Sequence, residues 1–283
     1  RLKPYTRDIS NAEIGMYNGG SKFKNKDIIM ARITPFLENG KIAMINILDR
    51  DEVGFGSTEF IVFRAIPEIS DADFLYYLIC SSYVRSAAIK SMVGSSGRQR
   101  VQVDSLQNLV VKVPDFATQK KIGQILKCLD DKILINTQIN DNLEQQAKLI
   151  FDHIFKEIPI QTATYGTLAD IAIITMGQSP AGNSYNEAGN GIVFYQGRAE
   201  FGHRFPTRKL FTTAPKHMAQ TGDILFSVRA PVGDINIATE DCCIGRGLSA
   251  IRSKDGHNSF LLYTLLKMIP QFKVFNGEGT VFG

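Results

Sequence analysis

The sequence lacks any apolar run that approaches the ~18–20 residues needed to cross a bilayer. Nothing at its start resembles a signal peptide, which would combine a basic stretch with a short apolar one. Neither a membrane partner nor export is therefore indicated, and we expect the protein to be cytoplasmic.

Cysteine and histidine are scarce, with four of each in 283 residues. The cysteines have no CxxC spacing and no cluster of histidines nearby, which argues against a zinc site and against a disulfide framework. We therefore interpret them as ordinary thiols and expect no metal and no cofactor bound by the chain itself. They are Cys80, Cys128, Cys242 and Cys243.

Three catalytic patterns are also missing. An amino-methyltransferase needs an Asn-Pro-Pro-aromatic loop and a Gly-rich turn, whereas the GxG sequences at 54–56 and 245–247, which come before repeat strands, are typical of turns. An endonuclease needs paired carboxylates and a lysine around Mg²⁺, but Asp27 and Asp223 each stand alone before an apolar run, as turn or cap residues do. The histidines have no Ser or Cys partner at a suggestive spacing. They are His153, His203, His217 and His257.

The composition is that of a globular protein. Hydrophobic residues make up 44% of the chain and the mean hydropathy is −0.06, so at least one sizeable core can form, and two are plausible. The net charge of +4 is mildly basic, which permits a nucleic-acid surface without requiring one.

The most regular feature is the stretch 119–157, in which seam positions recur at steps of four and three with no proline between them. A helix of this length would span roughly 55–60 Å, which suggests a spacer. Asparagines within the seam favour a paired helix, because a polar seam residue fixes register; a helix packed along one domain is the alternative. The seam comprises Ile122, Leu126, Leu129, Ile133, Asn136, Asn140, Leu143, Ala147, Ile150 and Ile154.

Mixed α/β segments flank the helix, and the second repeats the first. Strands are predicted at 27–31, 41–45, 60–64 and 109–113, with a helix that starts at Asp71 or Asp73 and continues toward Val84. The repeat matches 27–31 with 223–227, 40–43 with 233–236, Gly56 with Gly245, 63–64 with 251–252, 74–77 with 260–263, and 94–97 with 277–280.

These patterns predict a mixed α/β (α+β) fold with two homologous domains, 1–115 and 159–283, joined by a long coiled-coil-forming helix at 116–158. The first copy lacks a part that corresponds to 165–215, and the second stops before a final strand, so we expect the sequence to be truncated at both ends.

The sequences GQSP at 177–180, GIVFYQG at 191–197, GDILFS at 222–227 and VG at 232–233 resemble the target recognition domain of Type I restriction–modification specificity subunits. Residues 119–143 resemble the central conserved helix of that family. The resemblance covers nearly the whole chain, and the order domain–helix–domain is more specific than any single motif.

The resemblance implies a subunit without catalysis of its own. Each recognition domain would read half of a bipartite, asymmetric site on double-stranded DNA, and two conserved helices would pair antiparallel. DNA methyltransferase subunits, expected to number two, would dock along those helices, and restriction/translocase subunits would join them. S-adenosylmethionine, ATP and Mg²⁺ would be bound by these partner subunits. Without a partner helix, the chain should self-associate through its seam.

Local charge indicates where DNA would bind. Between Gln196 and His217 the basic residues face a single acid, Glu200, and alternate with phenylalanines, which suits a loop that follows phosphates. Arg and Gln can also pair with guanine and adenine in the major groove. A solvated basic face is the alternative, and structural ion pairs compete for Arg32, Arg229 and Arg246. The predicted DNA-binding residues are Lys22, Lys24, Arg32, Arg98, Gln99, Arg100, Gln196, Arg198, Arg204, Arg208, Lys209, Arg229 and Arg246.

Two other functions stay open at this point. The chain could be the recognition half of a fused restriction–methylation enzyme, which a methyltransferase motif upstream would indicate. It could also be a structural adaptor that binds through its helix and does not touch DNA, which a failure to bind DNA even with a methyltransferase present would indicate.

Overall fold

A computed structural model describes residues 2–9, 12–95, 97–157, 166–229, 231–272 and 274. The chain divides into two compact units, Arg1–Asp141 and Asn142–Gly283, called here the first unit and the second unit. None of the helices in the described residues is long and apolar enough to cross a membrane.

The first unit contains short strands followed by helices. Its elements before the long helix are β1 (Ser21–Phe23), β2 (Ile28–Ala31), β3 (Ile42–Met44), β4 (Gly54–Gly56), β5 (Phe60–Phe63), α1 (Ala72–Cys80), α2 (Ser82–Lys90) and α3 (Val103–Gln107). Strand β2 lies between β3 and β5 in an antiparallel sheet, and β1 pairs with β4. All four residues of β2 are buried, which explains its unbroken apolar run. Ile28 and Met30 belong to the same core as Tyr76 and Ile79 of α1.

The predicted helix in this unit starts where expected but is interrupted. The Asp71 carboxylate accepts a hydrogen bond of 2.9 Å from the Phe74 amide and so caps α1. Ser81 is extended, ends α1, and its hydroxyl accepts a hydrogen bond from the Val84 amide that begins α2. The prediction of one continuous helix toward Val84 is therefore wrong, because a second N-cap lies inside the apolar pattern.

The strand predicted at 109–113 is wrong as well, because this segment pairs with no strand among the described residues. Leu109 and Val111 pack against the core of the first unit, while Val110 and Val113 are exposed. The alternation of apolar side chains is real, but it is satisfied by packing of every second residue rather than by a hydrogen-bonded ladder.

The long helix, α4, runs from Phe116 to Glu157 over 42 residues, which confirms the helix predicted from the seam. Its start is fixed to the first unit by Gln119, whose amide donates to the carbonyls of Ile69 and Pro114 and accepts from the Asp71 amide. Gly123 lies so close to α1 that a Cβ would sit 2.8 Å from the Phe74 nitrogen. Only glycine lets the helix approach this closely.

The second unit contains two sheets and two further helices. Its elements are α5 (Leu168–Ile171), β6 (Ala172–Met176), β7 (Tyr185–Asn186), β8 (Ile192–Tyr195), β9 (Leu210–Thr212), β10 (Met218–Ala219), β11 (Ile224–Ser227), β12 (Ile235–Ile237), β13 (Cys242–Ile244), β14 (Leu248–Ser253) and α6 (Asn258–Phe272). One sheet has the order β12-β11-β14-β6 and the other β10-β13-β8-β9-β7. The end of α4 packs on this unit through Phe151, which contacts Phe260 of α6 at 5.3 Å between ring centroids.

Strand register confirms the predicted repeat. Ile28 of β2 lies opposite Met44 and Phe63, and Ile224 of β11 lies opposite Ile237 and Ile251 in the same arrangement. The pair β1–β4 likewise corresponds to β10–β13. The match of Gly56 with Gly245 is wrong by one residue, because Gly245 is equivalent to Ser57. The Ser57 carbonyl accepts a hydrogen bond from the Phe60 amide, and the Gly245 carbonyl accepts the corresponding bond from the Leu248 amide. The match with 277–280 lies outside the described residues, as do Ser96 and residues 158–165.

Each unit contains the same ion pair, formed by a buried aspartate and a more exposed arginine. Asp27 and Asp223 precede the two central strands and are each 2% exposed. The Asp27 carboxylate accepts from Arg64 Nε at 2.7 Å and Nη2 at 2.6 Å, and Asp223 accepts from Arg252 at 2.5 and 2.8 Å. Each carboxylate also accepts from a backbone amide three residues earlier. These residues close a turn, as predicted, and in addition anchor an arginine on the neighbouring strand.

Seam residues of α4 differ in exposure along the helix. Ile122, Leu126 and Ala147 are half-buried, Asn136 and Asn140 are exposed, and the large apolar seam side chains beyond Leu126 are at least half exposed. These are Leu129 at 53%, Ile133 at 65%, Leu143 at 57%, Ile150 at 60% and Ile154 at 53%. An apolar stripe of this kind, left open to water, is typical of an interaction surface.

The ion pair of the second unit should stabilise its fold. Replacing Asp223 with Ala removes the acceptor of the Gln220 amide and the two carboxylate oxygens that accept from Arg252, which keeps its hydrogen bond to the Gln220 side chain. Because Arg252 can still reach water, we expect a loss of about 1.5–3 kcal/mol in the free energy of unfolding, measured by urea denaturation with circular dichroism. The exposed Asp255→Ala is the matched control, and equal losses in both variants would contradict this role.

The exposed seam should cause self-association of the chain when no partner is present. Replacing Leu129 and Ile133 with Asp should abolish association, because each buried Leu or Ile contributes roughly 1.5–3 kcal/mol and a buried unpaired charge is unfavourable. Light scattering after size exclusion, across a dilution series, measures this. Gln138→Asp with Gln145→Asp is the control, since both residues are exposed and outside the seam. A monomer at every concentration in the unmodified chain would refute the prediction.

Candidate nucleic-acid interface

In the first unit the predicted DNA-binding residues fall into two groups. Arg32 and Arg100 are used internally: Arg32 Nε donates to the Val101 carbonyl at 3.1 Å, and Arg100 donates to both Glu59 oxygens, at 2.7–3.1 Å. The hydrogen bond from Arg100 lowers the pKa of the Glu59 carboxyl. Gln99 is half-buried, and its backbone amide and carbonyl both bind the Thr34 hydroxyl.

The second group is exposed. Arg98 has no side-chain hydrogen bond or ion pair within the described residues, and neither has Lys24. Lys22 lies with its ammonium 4.5 Å from the centroid of the Tyr17 ring. Arg98 is thus the residue of the 98–100 loop that is available to a ligand, while Arg100 and Gln99 hold the loop in place.

In the second unit the basic loop between β8 and β9 is held in a defined conformation by hydrogen bonds. It begins with a turn of 3₁₀ helix at Arg198–Glu200, where the Glu200 carboxylate accepts from the Gly197 amide. The Asn236 amide of β12 then binds both the amide and the carbonyl of Gly202, each at 3.1 Å. The loop therefore keeps a fixed course between two anchors.

Two arginines of this loop are held in ion pairs, Arg198 with Asp234 and Arg208 with Glu240. Arg204 is half-buried; together with Lys148, whose hydrogen bond has the larger effect, its charge lowers the pKa of the Glu144 carboxyl. Lys209 is exposed and has no side-chain partner in the part of the chain that the structure describes. Of the four basic residues, Lys209 is the one immediately available to a phosphate.

The remaining candidates lie at strand ends of the second unit. Gln196 follows β8 and Arg246 follows β13, and both side chains are exposed. Their backbones touch: the Gly247 amide donates to the Gln196 carbonyl at 3.3 Å. Arg229 follows β11 and is half-buried. Gln196 and Arg246, fifty residues apart in sequence, are thus brought together by the parallel pairing of β8 with β13.

Sequence reasoning missed the acids that bind these arginines, namely Glu59, Asp234 and Glu240, and the Asp–Arg pair of each unit. The pair could have been found, because Arg64 and Arg252 occupy matching positions of the repeat. Within the described residues, no group of three or more His, Cys, Asp or Glu side chains could hold a metal ion.

The repeated α/β units, the long helix that joins them and the basic residues on their loops make this a tandem-domain α/β protein with candidate nucleic-acid surfaces. A sequence family described as "Type I restriction modification DNA specificity domain" matches residues 4–145 and 161–281. The chain belongs to this family, which confirms the resemblance and the mixed α/β fold predicted from the sequence.

Individual relatives agree with this membership. The putative type I restriction enzyme MjaX specificity subunit of Methanocaldococcus jannaschii is 30% identical over 98% of this chain and 68% of its own length. The HindI specificity subunit of Haemophilus influenzae is 33% identical over 58% of this chain, which spans only 35% of that relative. The crystal structure of a Type-I restriction-modification system S subunit from M. genitalium shares the fold, with a TM-score of 0.62, at 15% identity over 97% of this chain and 73% of that one.

The ion pairs predict unequal contributions of the basic loop to DNA binding. Lys209→Ala should weaken binding to all sequences alike and reduce the salt slope by about one unit, as expected for one phosphate contact. Arg208→Ala and Arg198→Ala should reduce the slope by less, because each arginine already neutralises an acid, and half-buried Arg204 should rank between them and Lys209.

The measurement is fluorescence anisotropy with a specific and a scrambled duplex over a range of salt concentrations. Lys254→Ala is the matched control, since Lys254 is exposed and lies at the opposite end of β14 from the 245–247 turn. A change in the preferred DNA sequence would show that the substituted residue contacts a base rather than a phosphate. An unchanged salt slope in all four variants would show that the loop is not part of the interface.

Proposed function

We propose that this chain confers DNA sequence specificity on a Type I restriction–modification complex and has no catalytic activity of its own. The observation that carries the proposal is the family match over both units, which coincides with exposed basic side chains on the loops of each. A protein that acts on DNA in this way would work in the cytoplasm, as the sequence suggested.

The two units would read different half-sites of an asymmetric, bipartite target. The repeat gives them equivalent turns after β4 and β13, and these turns differ in chemistry: Ser57, Thr58 and Glu59 in the first, Gly245, Arg246 and Gly247 in the second. Glu59 carries a negative charge and is paired with Arg100, whereas Arg246 carries a free positive charge. Identical base preferences are not expected from such different side chains.

The long helix would serve the protein partners. Its open apolar seam supports pairing with a second helix, and DNA methyltransferase subunits, two in number, would dock along the pair, with restriction/translocase subunits beyond them. S-adenosylmethionine, ATP and Mg²⁺ would be bound by those subunits rather than by this chain. Charges along α4 are largely matched within it, as in the pairs Lys127–Asp131 and Glu144–Lys148, which suits protein contacts better than DNA.

Mapping methylated sites in a host that carries the complete protein tests the proposal against its two alternatives. The proposal expects methylation at one bipartite, asymmetric sequence that disappears when the protein is deleted. A methyltransferase motif upstream in the complete protein, together with methylation by that protein without any other subunit, would instead indicate a fused enzyme. Absence of DNA binding even with the methyltransferase supplied would indicate a structural adaptor.

We further propose that α4 sets the distance between the half-sites, about one turn of DNA or roughly 34–36 Å. Duplicating residues 133–139 adds one heptad, which lengthens the helix by about 10 Å and nearly preserves its rotation. The preferred spacer should grow by about three base pairs while both half-site sequences stay the same, as read from methylation maps. Gln138→Ala is the control of unchanged length. Altered half-sites with an unaltered spacer would show that the helix is not the ruler.

A further inference from the structure

Three loops of the second unit meet at one end of its sheets. They are residues 177–179 after β6, 196–198 after β8 and 245–247 after β13, called here the three-loop junction. The Gly177 amide donates to the Leu248 carbonyl at 2.9 Å, the Gln178 amide to the Ile244 carbonyl at 3.0 Å, and the Gly245 amide to the Tyr195 carbonyl at 2.8 Å. Backbone hydrogen bonds thus tie the 177–179 loop to the residues on either side of the 245–247 loop, and the 245–247 loop to Tyr195 and Gln196.

Glycines make this contact possible. A Cβ on Gly177 would lie 2.1 Å from the Gly245 oxygen, and one on Gly245 would lie 2.7 Å from the Gln196 oxygen. A Cβ on Gly247 would lie 3.0 Å from that same oxygen. Because the opposing atoms belong to the backbone, no side chain can be accommodated, and the course of the three loops is fixed by packing of main chain on main chain.

Three polar side chains project from this rigid backbone. Gln178 follows Gly177 in the chain, and Arg246 lies between Gly245 and Gly247. Gln196 is the residue whose carbonyl oxygen these last two glycines approach. All three side chains are exposed, and within the described residues none has a hydrogen bond or ion pair. The Arg246 backbone, by contrast, is tied to Ser179, whose hydroxyl accepts its amide at 3.4 Å. The side chains are therefore free, while the main chain that carries them is held.

The chemistry of these groups suits base edges better than phosphates. A glutamine amide offers one donor and one acceptor, the pattern that matches N7 and N6 of adenine, whereas phosphates select cations. The neighbouring Arg198 is occupied by Asp234. Two free amides and one free guanidinium on one fixed support form a set that distinguishes purines in the major groove.

We propose that Gln178 reads a base of the half-site bound by the second unit, beside Gln196 and Arg246. The inference rests on the proposed function, since it names a specificity-determining residue of that same surface. Gln178 lies in the GQSP motif at 177–180, but it was not among the DNA-binding candidates obtained from the sequence, because those were chosen mainly by local positive charge and Gln178 carries none.

The test uses the full chain in its methyltransferase complex with a duplex library randomised over both half-sites, and the bound duplexes are sequenced. Gln178→Ala should reduce discrimination at one base pair of one half-site by roughly 5- to 150-fold, the range for a single bidentate contact, with the other half-site and the salt slope unchanged. Gln178→Glu should shift the preference at that base pair toward cytosine, whose amino group a carboxylate accepts.

Gln271→Ala, a change at an exposed glutamine of α6, is the matched control and should leave every position unchanged. Melting temperatures of both Gln178 variants should equal that of the unmodified protein, because the Gln178 side chain is exposed and has no hydrogen bond within the described residues. Unchanged base preference, or a uniform loss of binding without a change in preference, would overturn the assignment of Gln178. If the unmodified complex enriches no sequence, the proposed function itself fails, and the two failures are thus distinguishable.

Discussion

The fold of both units depends on one electrostatic contact, the buried carboxylate of Asp27 or Asp223 bound by an arginine of the neighbouring strand. Burial of a carboxylate is unfavourable unless its lone pairs are satisfied, and here two guanidinium nitrogens and a backbone amide satisfy them. Because the aspartate directly precedes β2 or β11 and the arginine directly follows Phe63 or Ile251, the contact fixes the register of the central strand pair. That register decides which residues reach the turn at the far end of the pair, where the 57–59 and 245–247 turns lie.

The sequence predicts those parts of the fold whose signal is local. Buried central strands are unbroken apolar runs, α4 has a long heptad pattern, and the repeat preserves residue types in order. The errors arise where the outcome depends on distant residues. Apolar alternation at 109–113 does not reveal that no strand is available to pair with it, and the pattern through Ser81 does not reveal that its hydroxyl caps a new helix. Matching Gly56 with Gly245 compared residue types, whereas the true equivalence, Ser57, is set by hydrogen bonding.

The same distinction applies to the candidate interface. Charge can be read from the sequence, so the basic loops were found. The sequence does not show, however, whether a charged side chain is already bound by an acid elsewhere in the fold. Arg100 meets Glu59 across 41 residues and Arg208 meets Glu240 across 32, and no spacing rule connects such pairs. In each pair, an arginine that the sequence suggests as a DNA contact is bound to an acid of the same unit and helps to hold its loop in place. Lys209, Arg98 and Arg246 look no different from the paired arginines in sequence, yet among the residues that the structure describes their side chains have no hydrogen-bond or ion-pair partner, and the same is true of Lys24.

A recognition surface must combine a precise backbone with side chains that can differ from one target to another. At the three-loop junction, the surface proposed above to read bases, these two requirements are met by different residues. Gly177, Gly245 and Gly247 fix the main chain by contacts that no other residue permits, whereas Gln178, Gln196 and Arg246 have exposed side chains. Replacing any of the latter changes the pattern of donors and acceptors offered to a base without disturbing the core. The fold does not constrain the identity of these side chains. Substitutions at these positions can therefore change the DNA sequence that the proposed surface reads without lowering the stability of the protein.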